Sequence, residues 1–136
     1  MSNLLIIAPK YPDKNQISSQ FVKDQVKYLR NHFDKVYVIS PIPYLPKFSK
    51  YLLSNENFGH SIRKDFSYDN VVVRYVKILY LPFGINYKRR GKQIYNKVKK
   101  VILKNNIKFD VVHSHFSWPF GNVAVNIGKD FGSKSF

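Results

Sequence analysis

Cysteine is absent from the 136 residues, so no disulfide can form and burial alone must hold the chain together. That fits a reducing compartment. Acidic residues are scarce as well, and the eight carboxylates (Asp13, Asp24, Asp34, Glu56, Asp65, Asp69, Asp110 and Asp130) are scattered. No Asp-x-Asp pair stands ready for magnesium or manganese, and no carboxylate couple suggests a paired-carboxylate hydrolase. Glycine occurs six times but never between Pro9 and Ser19. The loop after the first expected strand therefore carries neither the G-x-G-x-x-G fingerprint nor a P-loop, which argues against ordinary NAD and ATP sites. Long apolar runs are missing too. Leu4-Leu5-Ile6-Ile7-Ala8 ends at Pro9, too short for a signal-peptide core or a membrane span. The expected location is the cytoplasm, extending to peripheral attachment at the cytoplasmic face of the membrane.

What is abundant is positive charge. Twenty-three Lys and Arg outweigh the acids and leave a formal net charge of +15. Such a balance suits an anionic membrane leaflet, a phosphate-bearing substrate or nucleic acid. Nucleic acid is the least favoured of these, because no recognised binding module accompanies the charge. With 44% hydrophobic residues the chain is no disordered basic tail. Its length suits a single domain covering residues 1–136.

Apolar periodicity predicts alternating strands and helices. Asn3 to Ala8 reads as a strand buried on both faces. Val22, Val26, Leu29 and Phe33 mark a helix capped by Ser18 or Ser19. A second strand, Lys35 to Ser40, is expected to stop at Pro41. From Pro41 to Asn70 the period is lost among prolines and aromatics, which suggests short helical turns or a segment ordering against a partner or membrane. Val71 to Val76 is the third strand, extending toward Leu81. Tyr87 to Lys104 is a helix burying Tyr87, Gly91, Ile94, Val98, Val101 and Ile102. Its other face carries Lys88, Arg89, Arg90, Lys92, Lys97, Lys99, Lys100 and Lys104 with no acidic residue among them. Phe109 to His113 is the fourth strand, Phe120 to Phe131 a helix, and Ser133 to Phe136 the opening of a fifth strand. The fold class implied is α/β, a Rossmann-like doubly wound parallel sheet that reads as truncated in or before that strand.

In such sheets ligands bind beyond the carboxyl ends of strands, which singles out His115, Ser117 and Trp118 after the fourth strand. His115 suits a contact to a substrate hydroxyl or phosphate, and His113 a buried, hydrogen-bonded role. Both would face one side of a continued strand, as metal ligands do, yet no third ligand can be named and no metal is expected. Trp118 either stacks on a sugar ring or covers the core. Gly121 either aims backbone amides at an anion or is ordinary helix entry. The basic helix face is either a solvated surface or a membrane contact through Lys88, Arg89, Arg90, Lys92 and Lys99, each worth about 1 kcal/mol near an anionic leaflet.

Four segments taken together carry a family likeness. Leu5 to Pro12, Ile17 to Leu29 and Val36 to Pro41 resemble the opening of family 4 glycosyltransferases. Phe109-Asp110-Val111-Val112-His113-Ser114-His115-Phe116 is similar to that family's D-V-V-H-x-H strand. The resemblance implies the amino-terminal, acceptor-side half of a GT-B architecture, with a second, donor-binding domain supplied in cis or trans. It further implies sugar transfer from a nucleotide-sugar donor to an acceptor, such as a lipid-linked sugar or a cell-envelope polysaccharide, with retention and without metal or other cofactor. Where the family often has Gly-Gly after the first strand, this chain reads Asp13 to Ser19, so Ser18 and Ser19 are expected to stand near the donor. The family's catalytic-region His falls after the next strand, beyond Phe136, so the isolated chain is not expected to catalyse. His115, Ser117, Trp118, Lys10, Ser18 and Ser19 are the substrate-binding residues expected on this reading. The rival is a stand-alone, non-catalytic Rossmann-like module that binds an anionic membrane or a partner subunit.

Overall fold

The computed structural model describes residues 2–13, 20–44, 63–81 and 84–136. Within them lie β1 (Asn3–Ile7), α1 (Gln20–Leu29), β2 (Lys35–Tyr44), β3 (Phe66–Tyr68), β4 (Val71–Leu79), α2 (Arg90–Lys104), β5 (Val111–Ser114), α3 (Asn122–Phe131) and β6 (Lys134–Ser135). The six strands form one sheet in the order β3-β4-β2-β1-β5-β6. All neighbours run parallel except β3, which is antiparallel to β4. The chain thus winds outward from β1 through β2 to β4, then returns to place β5 and β6 on the other side. This is the α/β, Rossmann-like, doubly wound class expected from the sequence.

Burial on both faces explains why β1 is apolar from Leu4 to Ile7. Leu4, Ile6 and Ala8 join Val22 and Val26 of α1 on one face, with Val36, Val38, Val71 and Val73 from the neighbouring strands. Leu5 and Ile7 join Ile94, Val98 and Ile102 of α2 and Val123, Ala124 and Ile127 of α3 on the other. Each Val, Leu or Ile among them contributes about 1.5–3 kcal/mol by leaving water.

The structure departs from the sequence expectation at several boundaries, each for a local reason. Strand β2 does not stop at Pro41 but runs on to Tyr44. Ile39 and Pro41 direct their carbonyls to the β1 side, toward Ala8 and Lys10. Alternation puts the missing N–H of Pro41 and of Pro43 on that same side, where β1 has already ended, so no ladder bond is lost. The lost-period stretch ends in a strand, β3, joined to β4 by the two-residue turn Asp69-Asn70, with Asp69 left-handed at φ 49°. The helical turns expected earlier in that stretch fall on 45–62, outside the described residues, as do Ser18 and Ser19, the expected caps of α1. Tyr87 to Arg89 form a 3₁₀ turn before α2. Its tighter winding takes Tyr87 off the buried stripe that α-helical spacing assigns it, leaving it 52% exposed. A wide turn, Ser117–Gly121, likewise delays α3 from Phe120 to Asn122.

Candidate functional site

The strand order reverses between β1 and β5, the kind of switch point at which open α/β sheets offer a ligand a crevice between the two following loops. Both loops are built from residues in unusual conformations. After β1, Lys10 is left-handed (φ 51°) and donates its N–H to the Pro41 carbonyl at 3.3 Å. Tyr11 then dives into the core, fully buried, with its N–H on the Ser40 hydroxyl at 2.8 Å. Its phenol meets that of Tyr68 at 2.8 Å, and its carbonyl accepts from the Tyr75 hydroxyl at 2.8 Å and from the Arg63 guanidinium at 2.7 Å. Burial pushes both phenols up, Tyr11 far above its ordinary range and Tyr75 to about 12, so they remain neutral hydrogen-bonding groups. This web fixes where the chain leaves β1, and the Lys10 side chain stays exposed at the rim.

After β5, His115 donates its N–H to the Ile7 carbonyl at 3.2 Å, which ties the second loop to the end of β1. Phe116 follows at φ 73°, and its carbonyl accepts from Gly121 N–H at 3.1 Å, closing the wide turn. The His113 and His115 rings stand edge to face, 5.0 Å between centroids, on the α1 side of the sheet. Phe21, at the start of α1, contributes a second edge contact to His115 at 5.9 Å and one to Phe116 at 6.4 Å. His115 Nε2 is buried and has no hydrogen-bond partner among the described residues. Burial lowers the pKa of both imidazoles, and for His115 the neighbouring His113 adds to it, so both are held neutral near pH 7. A neutral imidazole both donates and accepts, which is what recognition of a hydroxyl requires.

The sequence placed His115, Ser117 and Trp118 together, and the structure separates them. His115 faces α1. Ser117 is exposed on the turn. Trp118, joined to Pro119 by a cis peptide bond, lies across the sheet end against the start of α2. Its ring comes within 3.6 Å of where a Cβ on Gly91 would stand, so the absent side chain at Gly91 makes room for it. Gly121 sits beside the Phe116 carbonyl and the Ser114 hydroxyl, at the entry to α3. Among the described residues no group of three or more His, Cys, Asp or Glu side chains gathers as a metal site would require.

The basic stripe on α2 also divides. Lys99 is paired with Asp130 of α3 at 2.7 Å, and Tyr95 donates its hydroxyl to the same carboxylate. These bonds raise Lys99 and lower Asp130, keeping both charged. The offsetting acid that the helix lacks thus comes from a neighbour. Arg90 stacks its guanidinium on Tyr80 at 4.0 Å and on Tyr87 at 5.5 Å. Lys88, Arg89 and Lys92 are exposed and form no ion pair among the described residues.

Sequence reasoning missed Phe21, Ser40 and the Tyr11–Tyr68–Tyr75–Arg63 web. The available signals were a lone serine within the buried run of β2 and a tyrosine set between Lys10 and Pro12. No helix among the described residues is long and apolar enough to cross a membrane. No protein-family model matches the chain, and no curated protein is significantly similar to it.

Proposed function

We propose that this chain is the acceptor-binding half of a glycosyltransferase, holding an acceptor in the crevice between β1 and β5 while a donor-binding domain, in cis or trans, brings the nucleotide-sugar. The observation that carries this reading is the buried Nε2 of His115 at the switch point, which has no hydrogen-bond partner among the described residues. A buried polar atom left without a partner costs about 1–3 kcal/mol, and a ligand hydroxyl would relieve that cost. The resemblance supplies the chemical class. Its segments fall on β1 and its loop, on α1 with the residues before it, on β2 and on β5, so that two of them, β1 and β5, flank the switch point.

On this reading the neutral His115 imidazole hydrogen-bonds an acceptor hydroxyl and Ser117 offers a second contact from the turn. Exposed Lys10 attracts phosphate at the rim, Ser18 and Ser19, outside the described residues, keep the donor-side role that the resemblance implies, and Trp118 bounds the mouth on the α2 side. What this half contributes is positioning. Holding a reactant in attack geometry lowers a barrier without acid–base chemistry from the same residues. Transfer is retaining and needs no metal, and the setting is cytoplasmic.

Calorimetry of the purified chain against short glycans, polyprenyl-phosphate-linked sugars and nucleotide-sugars tests the proposal. Expected are binding of an acceptor class, a loss of about tenfold in His115→Ala with the fold intact, and no turnover of any nucleotide-sugar. Turnover by the chain alone would refute the half-site assignment. Binding of neither glycans nor nucleotide-sugars would decide for the rival, a non-catalytic module.

A further inference from the structure

The division of the α2 charges points to something narrower than a basic helix face. Lys99 is engaged by Asp130, and Arg90 is held between two tyrosines. Lys88, Arg89 and Lys92, in the 3₁₀ turn and first turn of α2, are the exposed cations at this end of the helix, and none forms an ion pair among the described residues. That same short stretch carries two exposed apolar residues, Ile85 at 72% and Tyr87 at 52%. Trp118, 49% exposed, leans on Gly91 between Arg90 and Lys92. No acidic residue stands in the first turn of α2. Because α2 follows β4, its start lies at the carboxyl end of the sheet, the end that bears the crevice.

Exposed aliphatic and aromatic groups interleaved with unpaired cations are the composition of an interfacial anchor. The rings sit at headgroup depth while the cations meet anionic lipid. A solvated surface explains the lysines but not an exposed Ile, Tyr and Trp gathered among them. We propose that the knuckle formed by residues 84–92 together with Trp118 docks on an anionic bilayer, tip first, and turns the mouth of the crevice to the lipid surface. The contact is the start of α2, not its length: Lys97 and Lys100, farther along the helix, stay in water. Docking stands on the patch alone. That the crevice then receives an acceptor anchored in the bilayer rests on the function proposed above.

Trp118 is the only tryptophan, so its emission reports the contact directly. The experiment adds the chain to vesicles of equimolar phosphatidylglycerol and phosphatidylcholine and to vesicles of phosphatidylcholine alone. Expected are sedimentation with the anionic vesicles only, a blue shift of Trp118 emission, and quenching by brominated lipid. Each engaged cation contributes about a fivefold gain in affinity, so Lys88→Glu/Arg89→Glu should weaken binding at least about 25-fold. The matched pair Lys97→Glu/Lys100→Glu should change it less than about fivefold. Ile85→Asp should weaken binding and reduce the blue shift, which a purely electrostatic association would not show. Equal losses from the two charge-reversed pairs would overturn the tip-first geometry, as would binding with unshifted emission. Failure to bind anionic vesicles would overturn the docking while leaving the glycan test untouched. Glycan binding that fails while vesicle binding holds would sink only the function.

Discussion

The two ends of this sheet are built on opposite terms. At the amino end, polar side chains close on backbone groups. Asp110 accepts the Asn3 N–H at 2.8 Å, and the Asn3 amide donates to the Lys108 carbonyl at 3.0 Å. Asn70 donates to the carbonyls of Arg30 at 2.8 Å and Phe33 at 2.9 Å, locking the β3–β4 turn to the chain leaving α1. The carboxyl end has left-handed residues, Lys10 and Phe116, as the amino end has Asp69 and Asn106, but it adds exposed Phe116 and Trp118 and an imidazole nitrogen with no partner among the described residues. The first arrangement stabilises the fold. The second leaves free energy for a ligand to recover. At the carboxyl end the stabilising pattern recurs in the Tyr11 web, which holds the loop after β1, and at Asn86, which accepts the Leu81 N–H at 3.2 Å and donates to the Leu79 carbonyl.

The comparison breaks most visibly at Asn70. Asn70→Ala removes the donors to the Arg30 and Phe33 carbonyls and should cost about 2 kcal/mol. The melting temperature should fall on the order of 6 °C while ligand and vesicle binding in the folded protein stay unchanged. A melting temperature within error of the parent would mean that the amino-end stitching is ornamental. Tyr11→Phe comes next. It keeps the buried ring and deletes the hydroxyl bond to Tyr68, for a loss of about 1 kcal/mol in chemical denaturation. Because the Tyr11 backbone carries the bonds to Ser40, Tyr75 and Arg63, the loop should hold its course and binding should persist.

Much of this division could be read from the sequence, because burial on both faces writes itself as unbroken apolar runs and a helix writes itself as a stripe. Leu4 to Ala8, and Ile94, Val98 and Ile102, are such signals, and they were enough to assign the fold class. Finer features depended on neighbours. Pro41 and Pro43 read as a stop, and only the end of β1 beside them makes them harmless. The Asp69-Asn70 pair between Phe66-Ser67-Tyr68 and Val71-Val72-Val73 was a legible hairpin signal, but the three-residue strand before it was too short to register as a period. Lys99 read as free because Asp130 lies 31 residues away. Trp118 read as a partner of His115 because adjacency along the chain says nothing of which side a wide turn will send a ring.

At the carboxyl end, His115→Phe sharpens the comparison from the other direction. The ring contacts to Phe21 and His113 survive, while the unsatisfied Nε2 is gone. Stability should rise by up to about 1 kcal/mol in denaturant. Affinity for the crevice ligand should fall by about tenfold, the loss of one hydrogen bond. A variant both less stable and fully competent to bind would show that His115 serves the fold and not the ligand.

The smallest expected effect is the dependence of stability on pH, and its sign follows from the same pair. In the folded chain burial lowers the pKa of His113 and His115, and for His115 the adjacent His113 adds to it, whereas in the unfolded chain both titrate near 6.5. On acidification the unfolded state therefore binds protons first. Stability is fully present above about pH 6.5 and is lost as pH falls from there through the lowered folded values. Asp130 and Lys99 do not blur this window, since the first titrates below 3.8 and the second above 10.5. Melting curves at about pH 7.5 and about pH 5.5 should show the loss, and His113→Gln/His115→Gln should flatten it. A ligand whose hydroxyl occupies Nε2 should deepen the loss, because it binds the neutral imidazole better than the charged one. An acid-side slope unchanged in the double variant would place the proton uptake elsewhere and remove the electrostatic distinction between the two ends.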